Sequence, residues 1–150
     1  MQIQQKSLYI LILLLVLTIV VAALGGGLFH QQSPWYLQWQ HQLFDQLCHQ
    51  IPERSFVLNS QPMAVCSRCI GIYGGFALGW MMLPLGMIST KADRFYSKRV
   101  ALAVLLINLV DIVGNMLGFW QNTLVSRLML GSLMGLSTAF IFSGDFFIRT

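Results

Sequence analysis

The stretch LYILILLLVLTIVVAALGGGL, residues 8–28, decides the fold class because it contains no charged side chain. A run of about 20 apolar residues is long enough to cross the hydrocarbon core of a bilayer as a helix. Three further apolar runs follow along the chain. We predict four transmembrane helices, at about residues 8–28, 70–88, 100–120 and 124–148. A cleaved signal peptide is the alternative for the first run, although its apolar core is longer than the usual core of about 7–15 residues.

The composition supports a membrane protein. Of the 150 residues, 56% are hydrophobic and 9% are charged, whereas a soluble domain has about 25% charged residues. The net charge of +4 does not indicate a nucleic-acid partner, because no basic patch is interleaved with aromatic side chains. We therefore predict an all-α, four-helix transmembrane bundle that forms a single integral membrane domain over residues 1–150. Its expected partner is the lipid bilayer, and self-association into a homo-oligomer is left open.

The distribution of lysine and arginine predicts the orientation of the helices. Of these nine residues, six lie on the side of the two termini and three lie on the side of the long loop after the first span. The first group is Lys6, Lys91, Arg94, Lys98, Arg99 and Arg149, and the second is Arg54, Arg68 and Arg127. The positive-inside rule then places both termini in the cytoplasm. We expect the protein to lie in the inner membrane of the cell. The long loop lies outside, where thiols meet an oxidising compartment.

Residues 33–47 of this loop have the pattern of an amphipathic helix. Ser33-Pro34 is typical of an N-cap followed by a first-turn proline. Apolar side chains then recur at helical spacing, at Trp35, Tyr36, Trp39, Leu43 and Leu47. We predict a helix that lies in the membrane interface or, equally, packs on the outer end of the bundle. In both cases it delivers Cys48 and His49 at its C-terminal end.

Three cysteines beside the membrane surface form the candidate site. Cys48-His49 follows the loop helix, and the motif CSRC at residues 66–69 begins the second span. A C-x-x-C pair with a third cysteine and a nearby histidine is typical of metal binding or thiol redox chemistry. The N-terminus of a helix favours anionic sulfur, and Arg68 adds a positive charge in the same turn.

Metal binding is the first of three interpretations of this cluster. A tetrahedral set of three thiolates and one imidazole suits zinc, and the candidate ligands are Cys48, His49, Cys66 and Cys69. Adjacent side chains diverge, so Cys48 and His49 do not easily bind one ion together. His41, His30 or water are the alternatives for the fourth ligand. A c-type haem is excluded because Ile70 stands where the C-x-x-C-H motif needs histidine.

Thiol redox chemistry and a purely structural role are the other two interpretations. The external C-x-x-C pair could exchange disulfides with Cys48 as the resolving thiol. That layout is similar in outline to membrane proteins that pass electrons from disulfides to quinones, but those proteins carry a second cysteine pair. Alternatively, the three cysteines are buried and inert, and they staple the loop to the second span. Whether the protein is an enzyme stays open.

The residues around the cysteines carry a resemblance to a known family. The stretches CHQIPERSF at residues 48–56 and CSRCIGIYGG at residues 66–75 match the patterns C-H-x-x-P-x-R-S-F and C-x-R-C-x-G-x-Y-x-G in full. The chain thus resembles an uncharacterised family of small prokaryotic membrane proteins, domain of unknown function 2085. The resemblance implies no activity. It does imply that four further residues belong to one site with the cysteines, namely His49, Arg54, Arg68 and Tyr73.

Polar side chains inside the third predicted span form a second candidate feature. Asn108, Asp111 and Asn115 share one helix face. A carboxylate near the middle of the membrane costs roughly 2.5–3.5 kcal/mol on insertion scales, so it should face the bundle or water. The pattern is compatible with a proton or ion relay, with a pocket for a polar headgroup, or with hydrogen bonds between helices.

Depth separates these polar residues from the cysteines. Asp111 lies about 6 Å deeper than Asn115 at the helical rise, so we expect no direct contact between Asp111 and Cys69. We therefore expect Asn115 to support the site by meeting Tyr73 or Arg68. Arg127, at the outer end of the fourth span, is expected either to pair with Asp111 or to anchor the helix at the interface.

Small residues recur every four positions on three of the spans, a spacing that lets helix backbones approach closely. They are Gly71, Gly75 and Gly79 on the second span, Gly114 and Gly118 on the third, and Gly131, Gly135 and Ala139 on the fourth. This spacing predicts a tight bundle and does not say which helices pair.

Overall fold

The computed structural model describes residues 2–3, 6–29, 33–85 and 94–148, and these residues are mostly helical. The α-helices are α1 (Lys6–Ala23), α2 (Trp39–Phe44), α3 (Ser67–Met82), α4 (Arg94–Met116) and α5 (Leu124–Phe146). Single 3₁₀ turns form at Trp35–Leu37, Pro52–Arg54 and Leu83–Leu85. Four two-residue strands complete the described chain, namely β1 (Gln2–Ile3), β2 (Val57–Leu58), β3 (Gln61–Pro62) and β4 (Phe147–Ile148).

Three of these helices are long and apolar enough to cross a membrane. The qualifying segments are Lys6–Ala23 in α1, Lys98–Met116 in α4 and Leu124–Phe142 in α5. Helix α3, which corresponds to the second predicted span, has 16 residues. That length is about 24 Å at the helical rise, which is less than the hydrocarbon core of about 30 Å. The count of four spans therefore stays a prediction, and the end of that span after Leu85 lies outside the described residues.

Helix α1 ends at Ala23, earlier than the predicted limit at residue 28, because three consecutive glycines follow Leu24. Gly25 has a φ of +76°, a conformation that side chains with a Cβ rarely adopt. A Cβ on Gly25 would also meet the backbone nitrogen of Ala64. The chain therefore turns out of the helix here and packs closely against the segment that leads into α3.

The small-residue spacing brings α3 and α5 together. The contacting pairs are Gly71 with Leu128, Gly75 with Ser132, and Gly79 with Ala139. A Cβ on Gly71 or Gly75 would overlap a backbone carbonyl of α5, so the two backbones touch directly. Because the residue numbers of the pairs rise together, α3 and α5 run parallel.

The glycines of α4 have a different role from the one their spacing predicted. Gly118 has a φ of +77°, and its N–H donates to the Asn115 carbonyl at 3.4 Å. The Phe119 N–H donates to the Gly114 carbonyl at 3.0 Å. These two bonds form a Schellman motif. The prediction that Gly114 and Gly118 pack between helices is wrong, since they end α4 instead.

Helix α1 runs antiparallel to α3 and contacts it near both ends. At one end the Tyr9 hydroxyl donates to the Trp80 carbonyl at 2.8 Å, and the two rings stack with centroids 5.5 Å apart. At the other end Ala22 and Ala23 enter an apolar core that also contains Cys48. The remaining buried members of this core are Phe44, Met63, Ala64, Val65 and Ile70. The cysteines thus lie against this apolar core.

The loop helix is shorter than predicted. A 3₁₀ turn is followed by the six residues of α2, and Gln38, Gln40 and His41 are buried. The apolar side chains of the segment that are exposed are Tyr36, Leu37, Trp39, Leu43 and Leu47. Burial of polar side chains and exposure of apolar ones is the reverse of a water-facing helix. Its placement in the membrane interface stays a prediction.

A hairpin leads the chain from the loop back to α3. Asn59 and Ser60 connect β2 to β3, with φ values of 46° and 64°, and Val57 pairs with Pro62. Positive φ at both central residues is the signature of a type I′ turn. The Asn59 side-chain amide donates to the Gly27 carbonyl at 2.9 Å. The hairpin is therefore tied to the segment that follows α1.

The two ends of the described chain are joined by a short ladder. β1 and β4 pair antiparallel, with Gln2 opposite Ile148 and Ile3 opposite Phe147. The start of α1 and the end of α5 consequently lie on the same side of the helices.

Candidate metal centre

The three cysteines converge where the loop meets α3. Their sulfurs all lie within 4.8 Å of one another, and the Sγ atoms of Cys66 and Cys69 are 3.4 Å apart. All three are free cysteines. The convergence of Cys48 with the C-x-x-C pair, which the spacing predicted, is present in the structure.

Local backbone geometry aims each sulfur at the cluster. Cys66 is the N-cap residue of α3 in an extended conformation, with φ −68° and ψ 160°, so Cys69 lies one turn above it. The Cys48 N–H donates to the Phe44 carbonyl at 2.9 Å, which keeps Cys48 attached to the end of α2. The Cys66 N–H then donates to the Cys48 sulfur at 3.2 Å. This bond joins the loop to the start of α3 and stabilises negative charge on sulfur.

The environment favours a thiolate at Cys66. Hydrogen bonds with the thiols of Cys48 and then Cys69 lower the pKa of Cys66 to about 2, even though burial opposes ionisation. A thiolate is the form that binds metals and attacks disulfides. One member of the cluster is therefore ready for either chemistry at neutral pH.

The sulfur positions fit a tetrahedral metal ion. A Zn–S bond of about 2.3 Å requires tetrahedral sulfurs to lie about 3.8 Å apart. The Cys66–Cys69 distance of 3.4 Å and the 4.8 Å limit on the whole set bracket that value. Changes of about 1 Å or less in the sulfur–sulfur distances would bring all three sulfurs into a zinc coordination sphere.

The histidines lie apart from the sulfurs. In the part of the chain that the structure describes, the cluster of ligand atoms contains the three sulfurs without His49. Cys48 is buried and its neighbour His49 is exposed, as expected for adjacent side chains that diverge. His41 is buried beside Gln50, with 3.3 Å between Nδ1 and Oε1, and His30 lies outside the described residues.

A cavity of about 310 Å³ opens beside the sulfurs. All three cysteines line it, together with Leu47, Ile51 and Ile112 on its apolar side. Its other polar wall residues are His49, Arg54, Arg68, Asn115, Asn122 and Arg127. The structure therefore gathers His49, Arg54, Arg68 and Asn115 around the cysteines. Tyr73 supports the site from behind, since its ring contacts Phe44 with centroids 5.9 Å apart.

Arg68 forms an ion pair with Asp111. The same Asp111 oxygen accepts a hydrogen bond from the Asn122 side-chain amide at 2.7 Å. Of the two roles expected for Arg127, pairing with Asp111 is therefore wrong, and anchoring the helix at the interface stays a prediction. The depth estimate used only the helical rise, whereas the long side chain of Arg68 spans the remaining distance.

Asn115 and Asn108 make hydrogen bonds that the sequence did not specify. The Asn115 side-chain oxygen accepts from the Asn122 N–H at 3.1 Å. We expected Asn115 to meet Tyr73 or Arg68, but the structure gives no hydrogen bond to either among the described residues. Asn108 is buried, and its amide donates to the Val104 carbonyl at 3.0 Å and to the Leu130 carbonyl of α5 at 3.3 Å. Among the three interpretations of this polar face, Asn108 shows the hydrogen bond between helices.

Asn122 is the site residue that sequence reasoning missed. It donates hydrogen bonds to the side chains of both Asp111 and Asn115, and it lines the cavity. The available signal was its place in the short polar segment Gln121-Asn122-Thr123 between two apolar spans. Such a connection is confined to the mouth of the bundle, next to the cysteines.

The helices and the thiol cluster define a helical membrane protein with a cysteine-lined cavity at one end. The chain belongs to the family of predicted membrane proteins called domain of unknown function 2085, whose model matches residues 48–141. This confirms the resemblance seen in the cysteine motifs. The matched region begins at Cys48 and contains all three cysteines.

Two relatives are similar to about two thirds of this chain, and both are uncharacterised archaeal proteins. One from Methanocaldococcus jannaschii is 31% identical over 107 residues, which cover 70% of this chain and 67% of the relative. One from Methanothermobacter thermautotrophicus is 30% identical over 101 residues, which cover 64% of this chain and 84% of the relative. No solved structure matches the chain.

Proposed function

We propose that this is a multi-pass inner-membrane protein that binds zinc on its extracytoplasmic face through Cys48, Cys66 and Cys69. The observation that carries the proposal is the set of three free sulfurs within 4.8 Å of one another at the N-terminus of α3. Zinc has a strong preference for such thiolate sets. The supporting residues are His49, Arg54, Arg68, Tyr73 and Asn115, and the polar pair inside the membrane is Asn108 and Asp111.

The topology that we propose has four spans in one integral membrane domain over residues 1–150. The pairing of β1 with β4 brings the two ends of the described chain together, which supports an even number of crossings. Helix α3 contacts both α1 and α5, and its length grows by the 3₁₀ turn Leu83–Leu85. The lysine and arginine distribution then assigns both termini to the cytoplasm. In this topology, the exposed apolar side chains of the loop helix lie at the extracytoplasmic interface of the inner membrane.

The fourth position of the metal determines what the centre does. If water or a small ligand from the cavity fills it, the site has the open coordination typical of catalytic zinc. If the exposed His49 side chain turns inward, the site is closed and stabilises the fold. A bound zinc would supply charge for holding anions and a Lewis acid in the open form. The protein's own part is to hold three thiolates and to keep the apolar side of the cavity dry.

The experiment is metal analysis of full-length protein purified in detergent without chelator. We expect about one zinc per chain and three thiols that alkylate slowly until a chelator is added. Cys48→Ser, Cys66→Ser and Cys69→Ser should each lose the metal. Ser67→Ala is the matched control, since Ser67 is buried within the same motif and has no ligand sulfur. Less than one-tenth of an equivalent of zinc in the wild type, at about the detection background, would overturn the proposal.

Thiol–disulfide exchange is the second candidate. The 3.4 Å approach of Cys66 and Cys69 and the lowered pKa of Cys66 favour it. In that reaction the Cys66 thiolate attacks a substrate disulfide and forms a mixed disulfide with one substrate sulfur. Cys69 then attacks the Cys66 sulfur and releases the substrate as a thiol. The substrate receives two electrons and two protons, and the cysteines become a disulfide. Two thiols that appear only after reduction, in protein that holds little metal, would support this function over zinc binding.

A further inference from the structure

Two arginines on the cavity wall are not among the residues that would hold the metal. Arg127 lies in the first turn of α5 and Arg54 ends the 3₁₀ turn Pro52–Arg54, and both line the cavity. The Nε atom of Arg127 is buried without a hydrogen-bond partner in the described chain. A buried donor left unsatisfied destabilises the fold, and more so when it is charged. A ligand in the cavity would remove that destabilisation.

No carboxylate lines the cavity wall beside these arginines within the described residues. Asp111 is paired with Arg68, and Arg54 and Arg127 make no salt bridge with any described residue. The charge of Arg127 is repelled by Arg54 and Arg68 and is attracted by Cys66 and Asp111. Three thiolates holding a dication carry a net charge of −1, as does a cluster with a single ionised thiol. Two guanidinium groups therefore leave the wall positive in either state.

Further hydrogen-bond donors and the volume of the cavity limit the chemical class and the size of the ligand. The Asn115 side-chain oxygen is occupied by Asn122, so its amide N–H groups are the part of that side chain left to donate into the cavity. Guanidinium forks match the geometry of phosphate and carboxylate oxygens. A volume of about 310 Å³ is at the lower end of the range for ligand pockets, about 300–1,000 Å³. The ligand is therefore a small anion or the head of a larger molecule.

We propose that Arg54 and Arg127 bind a small phosphate oxyanion in this cavity, next to the cysteines. Two sources share this chemistry, namely free inorganic phosphate and the phosphate headgroup of a lipid. The apolar side of the cavity, formed by Leu47, Ile51 and Ile112, would contact the first carbons of a lipid. This proposal goes beyond zinc binding because it rests on arginines and an amide that are not metal ligands.

The test measures binding of ³²P-labelled inorganic phosphate to full-length protein in detergent by equilibrium dialysis. A second arm compares phosphatidic acid with diacylglycerol of the same acyl chains, by native mass spectrometry of protein released from nanodiscs. The variants are Arg127→Gln, Arg54→Gln and the milder Arg127→Lys, which keeps the charge and loses the fork. Lys98→Gln is the control, because it removes one exposed positive charge at the other end of α4. Helical content by circular dichroism and zinc content are measured on the same samples.

We expect about one phosphate group per chain, with affinity weakened about tenfold or more in Arg127→Gln and Arg54→Gln. Lys98→Gln should bind like the wild type, and Arg127→Lys should fall between. Binding of inorganic phosphate identifies the free anion, whereas binding of phosphatidic acid alone identifies the lipid. If neither probe binds, or if the folded glutamine variants bind as well as the wild type, the proposal is overturned. Zinc retained without anion binding rejects this site alone, and anion binding without zinc rejects the metal centre alone.

Discussion

The Arg68 guanidinium pairs with the Asp111 carboxylate and so joins the first turn of α3 to the C-terminal half of α4. The side chains are largely buried, with 17% and 14% of their surfaces exposed. Asn122 in the connection between α4 and α5 donates to the same carboxylate. Three segments that are distant in sequence are therefore held at one charged group beside the cysteines.

This ion pair should show strong coupling in a double-mutant cycle. Arg68→Gln and Asp111→Asn each leave one partly buried charge without its partner, which we expect to cost about 3 kcal/mol. The double variant removes both charges and should cost less than the sum, with a coupling energy of about 0.5–3 kcal/mol. The measurement is denaturant unfolding of the four proteins in detergent. Simple additivity of the two single effects would show that the pair contributes no interaction energy.

The contact between α3 and α5 should be sensitive to one methyl group at Gly75 and insensitive at Gly74. A Cβ on Gly75 would overlap the backbone of Ser132, whereas a Cβ on Gly74 would have no atom within 4 Å. We expect Gly75→Ala to lower the free energy of unfolding by about 1–3 kcal/mol through overpacking. Gly74→Ala should be neutral or stabilising by up to about 1 kcal/mol. Equal melting temperatures for the two variants would contradict the direct backbone contact.

Stability should decrease in mild acid because of His41. Burial lowers the pKa of His41 from its usual value near 6.5, so between the folded and unfolded values the unfolded chain binds more protons than the folded chain. Stability is therefore complete above about pH 6.5 and falls as the pH drops through that value toward the folded pKa, by at most about 1.4 kcal/mol per pH unit. The measurement is unfolding in detergent between pH 7.5 and about pH 5. His41→Gln should flatten the profile, and an unchanged slope in that variant would assign the effect to other groups.

The proposed orientation can be checked by cysteine labelling in intact cells. A thiol introduced by Ser60→Cys, at the exposed turn between β2 and β3, should react with a membrane-impermeant maleimide. A thiol introduced by Lys98→Cys, in the first part of α4, should react only after the membrane is permeabilised. The opposite result for the two positions would invert the protein and place the native cysteines in the cytoplasm.

The sequence predicted the thiol cluster because its determinants are local. The C-x-x-C spacing places Cys66 and Cys69 one helical turn apart, and the short loop helix brings Cys48 to the same end. Backbone geometry alone is enough for such an inference. Likewise, the four-residue spacing of small residues anticipated close helix packing, and the structure assigns it to α3 and α5.

Long side chains and helix ends limited the rest of the prediction. Arg68 reaches Asp111 with its flexible stem, and no measure of depth along the helix axis includes that reach. The spacing of Gly114 and Gly118 is the same as that of the packing glycines, but only the positive φ of Gly118 shows that it ends a helix. The loop helix has only six residues, and Gln40 within it is buried, which its polarity could not indicate.

The pairing of α3 with α5 has a consequence for biosynthesis. Helix α3 emerges from the ribosome well before α5, whose first residue is Leu124. Until then its glycine face has no protein partner, and its 16 residues are a weak signal for stable insertion. In the four-span topology that we propose, the translocon or a membrane insertase has to retain α3 while α4 is made. In the proposed orientation, the thiols at the start of α3 meet extracytoplasmic oxidants during this interval, so loading of the proposed metal competes with oxidation on every newly made chain.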